Sequence, residues 1–169
     1  ALFTPSAALG PGAVSGSSAA LQRAADLLRP FAMSPEGSPQ AKIVYADVLG
    51  SLSFLQPKET AFATCEEARQ VLVGLGAKDL SNLTAASVYA DITDWQARHA
   101  RALGRLDDAA RLVQEVYDLA ERVLAERPGD LRSMRNRAYA AEILGALADR
   151  RHDYAAALEF ATKAERAGE

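Results

Sequence analysis

The sequence predicts an all-α fold of about seven helices that stack as antiparallel pairs. Six of the seven prolines lie in the first 57 residues, and the remainder is rich in the helix-forming residues Ala, Leu, Arg and Glu. Apolar residues recur at steps of three and four, as on one face of a helix. No segment alternates apolar and polar residues with the β-branched enrichment of a strand. Together these patterns favour helices throughout.

Length and composition restrict the classes of protein that the chain can represent. The 169 residues carry a net charge of −3, which suits one globular domain. A single cysteine excludes an internal disulfide and a thiol zinc cluster. Residues 1–18 hold no charged side chain, so we expect a linker or tail there and a single domain over residues 19–169. Both ends suggest a piece cut from a longer protein.

The first half of the chain contains four predicted helices. Pro57 ends the second, the glycines at 74 and 76 end the third, and Thr84 is the expected N-cap of the fourth. The glycine at 104 marks the break that follows. The four helices are expected over about Ser18–Phe31, Gln40–Leu55, Lys58–Leu75 and Thr84–Leu103.

The second half contains three predicted helices, of which the first has the clearest amphipathic pattern. It runs from about Leu106 to Arg127, with apolar residues on one face and charged residues on the other. Pro128 and the glycine after it end this helix, and Asp130 is a good N-cap for the next. The last helix is expected over residues 154–166.

A short sequence recurs within the chain. Val44-Tyr45-Ala46-Asp47 returns 44 residues later as Val88-Tyr89-Ala90-Asp91, and a looser copy, Ala138-Tyr139-Ala140-Ala141, follows. Each copy lies in the first helix of a predicted pair, over residues 40–76, 84–127 and 130–166. Repeats of this length with two helices each are typical of a stacked helical array.

The last repeat resembles the tetratricopeptide repeat family. Leu144-Gly145, Asp153-Tyr154 and the alanines at 157, 161 and 164 match the family's spacing, and Pro128 resembles its closing proline. The resemblance covers roughly residues 40–166. The interval from Gly104 to Pro128 exceeds the family's by about two helical turns, which is also typical of a related helical-repeat variant. The resemblance implies an α-solenoid that binds proteins without catalysis, within a larger bacterial signalling or regulatory protein.

In this family the first helices of the pairs line a concave groove for a peptide or partner helix. The resemblance therefore implies a set of groove residues, namely Asp47, Ser51, Asp94, Arg98, Arg101, Glu142, Asp149 and Arg150. Arg98 and Arg101 lie one turn apart, and arginine can fork onto a carboxylate of a bound peptide. The alternative is an ordinary surface ion pair, because Asp94 and Arg98 are four residues apart on the same helix.

No residue pattern points to catalysis, a cofactor or a metal site. His99 shares an apolar stripe with Trp95 and is expected to pack, whereas His152 lies in a turn. Cys65 lies on an apolar helix face, as a buried structural thiol does. A basic cluster, Arg127, Arg132, Arg135 and Arg137, has acidic neighbours and no interleaved aromatics, so we expect no nucleic-acid partner. Arg132 and Arg135 share one helix face, and Arg137 does not.

Two other functions remain open. The chain could be a structural scaffold that self-associates through open solenoid ends, which an uncapped apolar face at Ala157, Leu158 and Ala161 would favour. It could also be a small-ligand sensor with a pocket between helices. No stretch reaches the ~20 apolar residues of a membrane span, so no insertion is expected. The sequence favours the cytoplasm and is compatible with a soluble extracytoplasmic domain of an anchored protein.

Overall fold

A computed structural model describes residues 11–150 and 152–166, and within them the chain forms seven α-helices and no strand. The all-α class predicted from the sequence is therefore confirmed. The helices are α1 Pro11–Met33, α2 Pro39–Ser53, α3 Lys58–Val73, α4 Leu83–Ala102, α5 Leu106–Glu126, α6 Leu131–Arg150 and α7 Tyr154–Arg166.

The first helix starts earlier than its sequence pattern indicates. It begins at Pro11 rather than Ser18, so residues 11–17 are helical although the sequence predicts a linker there. A proline suits the first turn of a helix because its missing N–H would have no partner at that position. The remainder of the predicted tail, residues 1–10, lies outside the described residues.

Polar side chains cap the starts of α2, α4 and α6 in the same way. The side-chain oxygens of Ser38, Asn82 and Asp130 each accept a hydrogen bond from the amide three residues later, at 3.1, 3.0 and 2.8 Å. The cap predicted at Asp130 is confirmed. The cap predicted at Thr84 is wrong, because Asn82 takes that role and Thr84 is an exposed residue of the first turn.

Every helix packs against its neighbours in sequence, and α4 lies at the centre. Beyond the sequential contacts, α2 touches α4 and α4 touches α6, so these three helices lie side by side. One apolar cluster is built mainly from α1 to α4, and a second joins the end of α4 to α5 and α6. At the far end, Tyr117 of α5 meets Phe160 of α7 edge to face, with ring centroids 5.9 Å apart.

A glycine of α2 lets Trp95 of α4 approach the α2 backbone closely. A Cβ atom on Gly50 would lie 2.4 Å from Cζ3 of Trp95 and 3.1 Å from Cγ1 of Ile92. Trp95 therefore rests directly on the backbone of α2, and Phe54 packs edge-on against the Trp95 ring at 5.2 Å. Any larger residue at position 50 would separate the two helices or displace the tryptophan.

Candidate binding face

The tyrosine of the repeated Val-Tyr-Ala-Asp sequence performs the same task in its first two copies. Tyr45 is buried in α2 and donates a hydrogen bond of 2.7 Å to Glu67 of α3. Tyr89 is buried in α4 and donates one of 2.6 Å to Glu115 of α5. Burial, and then the hydrogen bond to Glu67, raise the pKa of Tyr45 to about 12, so this phenol keeps its proton at neutral pH. In each of these two pairs, one buried tyrosine thus joins the two helices through its hydroxyl.

In both copies an arginine from the helix before the tyrosine's helix also approaches the glutamate that the tyrosine binds. Arg29 of α1 lies 3.6 Å from Glu67 with 62% of its side chain exposed, whereas Arg69 of α3 lies 2.8 Å from Glu115 with 8% exposed. The Arg69 guanidinium donates to five acceptors, which are Thr93 (3.0 Å), Glu66 (2.8 Å), Gln96 (2.7 Å), Tyr89 (2.5 Å) and Glu115 (2.8 Å). All of its donor capacity is used, so we interpret the network as structural.

The surface beside this network is a cleft of about 420 Å³ along α5, bordered by Lys78 and by Tyr89 of α4, which we call the Lys78 cleft. Its cationic side chains are already engaged: Lys78 pairs with Glu115 at 2.8 Å, and Arg122 donates to the Lys78 carbonyl at 2.9 Å. Burial acts to raise the pKa of Glu115, but bonds from Lys78 and Tyr89 and the charge of Arg69 outweigh it and hold that pKa below its ordinary value. Little charge is left there for a ligand.

The third tyrosine of the sequence repeat does not occupy the equivalent place. Tyr45 and Tyr89 lie seven residues after their N-caps, whereas Tyr139 lies nine residues after Asp130. The seventh position is held by Arg137, which donates to Glu121 of α5 at 3.1 Å. Tyr139 is therefore not the structural equivalent of Tyr89, because it lies two residues further from its helix cap.

The opposite side of α4 carries a second buried acid that the sequence reasoning missed. Asp91 is 4% exposed. It accepts from Arg135 at 2.9 Å and from Asn136 at 2.6 Å, and its other oxygen lies 3.0 Å from Nε of Arg132. The two arginine side chains remain 42% and 56% exposed at the surface. One carboxylate thus orders two guanidinium groups, which share a face of α6 as predicted.

One helical turn further along α4, Asp94 pairs with Arg98 at 2.8 Å. Asp94 is buried and forms the intrahelical pair that the alternative predicts, so its carboxylate is already engaged. Burial raises the pKa of Asp94 against the opposing effect of Arg98. Arg98 keeps 49% of its side chain exposed, and its guanidinium lies 5.8 Å from the ring centroid of Tyr139. Tyr139 is 38% exposed.

We call the surface formed by Arg98, Arg101, Arg132, Arg135 and Tyr139 the arginine face. Arg101 is exposed one turn beyond Arg98 on α4. A shallow cleft of about 290 Å³ lies at this face and is lined by Arg135, Ala138, Tyr139 and Glu142. The three residues that sequence reasoning did not assign to a groove, Arg132, Arg135 and Tyr139, come from α6.

The other predicted groove residues are dispersed. Asp47 is exposed and Ser51 half-buried on α2. Asp149 is exposed on α6 and lines a separate groove between α6 and α7, and Glu142 lines both that groove and the cleft at the arginine face. Arg150 is exposed at the end of α6. The arginine face therefore combines the α4 part of the predicted set, Arg98 and Arg101, with residues of α6.

The histidine and cysteine on the apolar stripes are packing residues. His99 lies 3.2 Å from the Ser53 hydroxyl and stacks near Phe54, and burial lowers the pKa of His99. Cys65 is fully buried, and burial raises the pKa of its thiol to about 11. Within residues 11–150 and 152–166, no three metal-ligating side chains lie close enough to hold an ion. No helix in this part of the chain is long and apolar enough to cross a bilayer.

Comparisons with protein-family models, with curated proteins and with solved structures find no match to this chain.

Proposed function

We propose that this chain is a non-catalytic protein-interaction module built from tetratricopeptide-like helix pairs, and that its arginine face binds an acidic peptide or partner helix. The observation that carries the proposal is the buried Asp91, which orders two half-exposed arginines at the surface. Two arginines carry more positive charge than the single carboxylate of Asp91 needs for its neutralisation. The positive charge left over faces solvent and is available to a partner.

The charge balance of the face favours an anionic partner. Arg98 is neutralised by Asp94, and Arg132 and Arg135 share the single charge of Asp91. Arg101 has no ion-pair partner among the described residues. Four arginines against Asp91, Asp94 and Glu142, which lines the cleft at this face, leave one net positive charge. Such a surface attracts acidic segments and disfavours basic ones.

Two features make the face suited to a peptide in particular. Arginines that Asp91 already holds in place lose less side-chain entropy when they bind a carboxylate. Tyr139 adds a half-exposed ring beside Arg98 and Arg135, on which an apolar side chain of the peptide can pack. The side-by-side arrangement of α2, α4 and α6, together with the family resemblance, supports binding along this layer rather than at a closed pocket.

The proposal is tested by fluorescence anisotropy with a labelled peptide in which glutamates alternate with leucine and tyrosine. A second peptide with glutamine in place of every glutamate is the matched ligand control. We expect the acidic peptide to bind and its affinity to fall as salt is added, because the interaction is between charges. Equal binding of both peptides would contradict the proposal.

Two charge reversals locate the binding site. Arg101→Glu removes an unpaired charge from the face and should weaken binding by about tenfold, the equivalent of ~1.4 kcal/mol. Arg111→Glu is the control, because it makes the same change in net charge at the Lys78 cleft, where 63% of the Arg111 side chain is exposed. Equal weakening by both variants would mean that net charge alone attracts the peptide.

A further inference from the structure

The last two helices leave an apolar groove open. The groove between α6 and α7 has a volume of about 610 Å³. Its lining residues are Ala141, Glu142, Gly145, Ala146, Asp149, Ala157, Leu158 and Ala161. Six of the eight are apolar or glycine, and the other two are acids. Leu158 is 70% exposed, which is unusual for a leucine in the middle of an amphipathic helix.

The position of this groove explains why it is open. α3 packs against α4 as well as α2, and α5 packs against α6 as well as α4. α7 packs mainly against α6 within the described part of the chain, and its Phe160 also reaches Tyr117 of α5. The groove therefore lies where the next helix sits in the two preceding pairs. A helix with an apolar strip is the occupant that this shape fits.

The opposite end of the molecule presents such a strip. α1 packs mainly against α2, with one ion pair from Arg29 to Glu67 of α3. Leu27 and Phe31 on its outer side are 63% and 66% exposed. Arg23 is exposed one turn before Leu27, so the three side chains follow one another on a single face over ~12 Å. Glu142 and Asp149 are two turns apart in the groove, a spacing of ~10.5 Å.

We propose that α1 of one copy lies in the α6–α7 groove of a second copy, so that the chain self-associates head to tail. Leu27 and Phe31 would cover the alanines and Leu158, and Arg23 would pair with an acid of the groove. Complementary charge favours α1 as the occupant, because Glu142 and Asp149 line the groove and Arg23 lies on the α1 strip. The interface uses none of the five residues that define the arginine face, and Glu142 is a residue that lines both surfaces.

The contact is heterologous: each copy uses one end and leaves the other free. Such an interface extends into open chains rather than closing as a symmetric dimer. This geometry makes a sharp prediction for mixtures of variants. A copy with a damaged α1 strip still has an intact groove, and a copy with a damaged groove still has an intact strip.

The experiment is light scattering coupled to size-exclusion chromatography over a wide range of protein concentration. Wild type should form species larger than a dimer as concentration rises. Phe31→Glu and Leu158→Glu should each be monomeric, and an equimolar mixture of the two should form a one-to-one dimer. Leu131→Glu is the control, because Leu131 is 79% exposed on α6 away from both ends, and it should assemble as wild type does.

Three outcomes would overturn the proposal. The first is a wild type that stays monomeric at every concentration. The second is a dimer that persists in either single variant, which would indicate a symmetric contact. The third is a mixture of Phe31→Glu and Leu158→Glu that remains monomeric. All three substitutions lie at exposed positions, and circular dichroism of each variant verifies that its helices are retained.

Discussion

Replacement of Arg69 by methionine tests whether the buried network between α3, α4 and α5 stabilises the fold. Arg69 reaches five acceptors on these three helices and is almost fully buried. Arg29 is the matched control, because it occupies the same place one repeat earlier beside Glu67, the acceptor of Tyr45. The two arginines differ in burial, so the comparison isolates the contribution of the buried contacts.

The expected loss follows from what each acceptor retains. Glu115 keeps Lys78 and Tyr89 as donors, and Glu66 is exposed enough to bind water. The buried side-chain oxygen of Gln96 loses its donor, which lowers the free energy of unfolding by about 1–3 kcal/mol. Breaking a buried ion pair lowers the free energy of unfolding by about 3–5 kcal/mol. Because Glu115 and Glu66 keep other partners, we expect a loss at the lower end, ~3 kcal/mol, for Arg69→Met.

The assay is urea unfolding followed by far-UV circular dichroism. With a denaturant slope of about 2 kcal/mol per molar, Arg69→Met should lower the midpoint by ~1.5 M. Arg29→Met removes an exposed ion pair worth about 0–1 kcal/mol and should lower it by less than ~0.5 M. Equal shifts for the two variants would refute the reasoning, because burial would then make no difference.

Three further predictions concern packing and titration. Gly50→Ala should lower the melting temperature, because the added Cβ would lie 2.4 Å from Trp95. Gly145→Ala should raise the melting temperature by about 2–4 °C through helix propensity, because the nearest atom to its added Cβ is 3.5 Å away. Calorimetry that gives the reverse order would contradict this packing. Burial lowers the pKa of His99, so below pH ~6.5 the unfolded chain binds a proton that the folded chain does not. Wild type should therefore lose stability between about pH 7 and pH 5 more than His99→Gln does in urea titrations, and equal losses would argue against it. The Cys65 thiol has no exposed surface, and its pKa is raised to about 11. It should therefore react with an aromatic disulfide reagent only after urea unfolds the chain. Rapid reaction of the folded protein would contradict this burial.

The helices could be predicted from the sequence because their signals are local. The pattern of α5 predicts residues 106–127, and the helix runs from Leu106 to Glu126. The start of α1 escaped prediction, since its first turns contain small uncharged residues without an apolar period. Asn82 and Thr84 are both good capping residues, and local chemistry does not separate them. Only the helix itself shows which of the two precedes its first turn.

The arginine face could be predicted only in part, because its contacts are non-local. The three-residue spacing of Arg132 and Arg135 predicts a shared face, but their acceptor, Asp91, lies more than forty residues earlier. Finding it required the register of α4 against α6, which no local pattern encodes. Tyr139 was misaligned because the short sequence recurs at a different distance from its helix cap. Arg69 escaped for a related reason, since its burial depends on two helices far along the chain.

The central claim, that the arginine face binds an acidic partner, is tested most directly by mapping amide chemical shifts of isotope-labelled protein during titration with the acidic peptide. The account predicts that the largest changes fall on α4 and α6, at Arg98, Arg101, Arg135 and Tyr139. Changes concentrated in the Lys78 cleft, at Lys78 and Arg111, or no changes at all would contradict it.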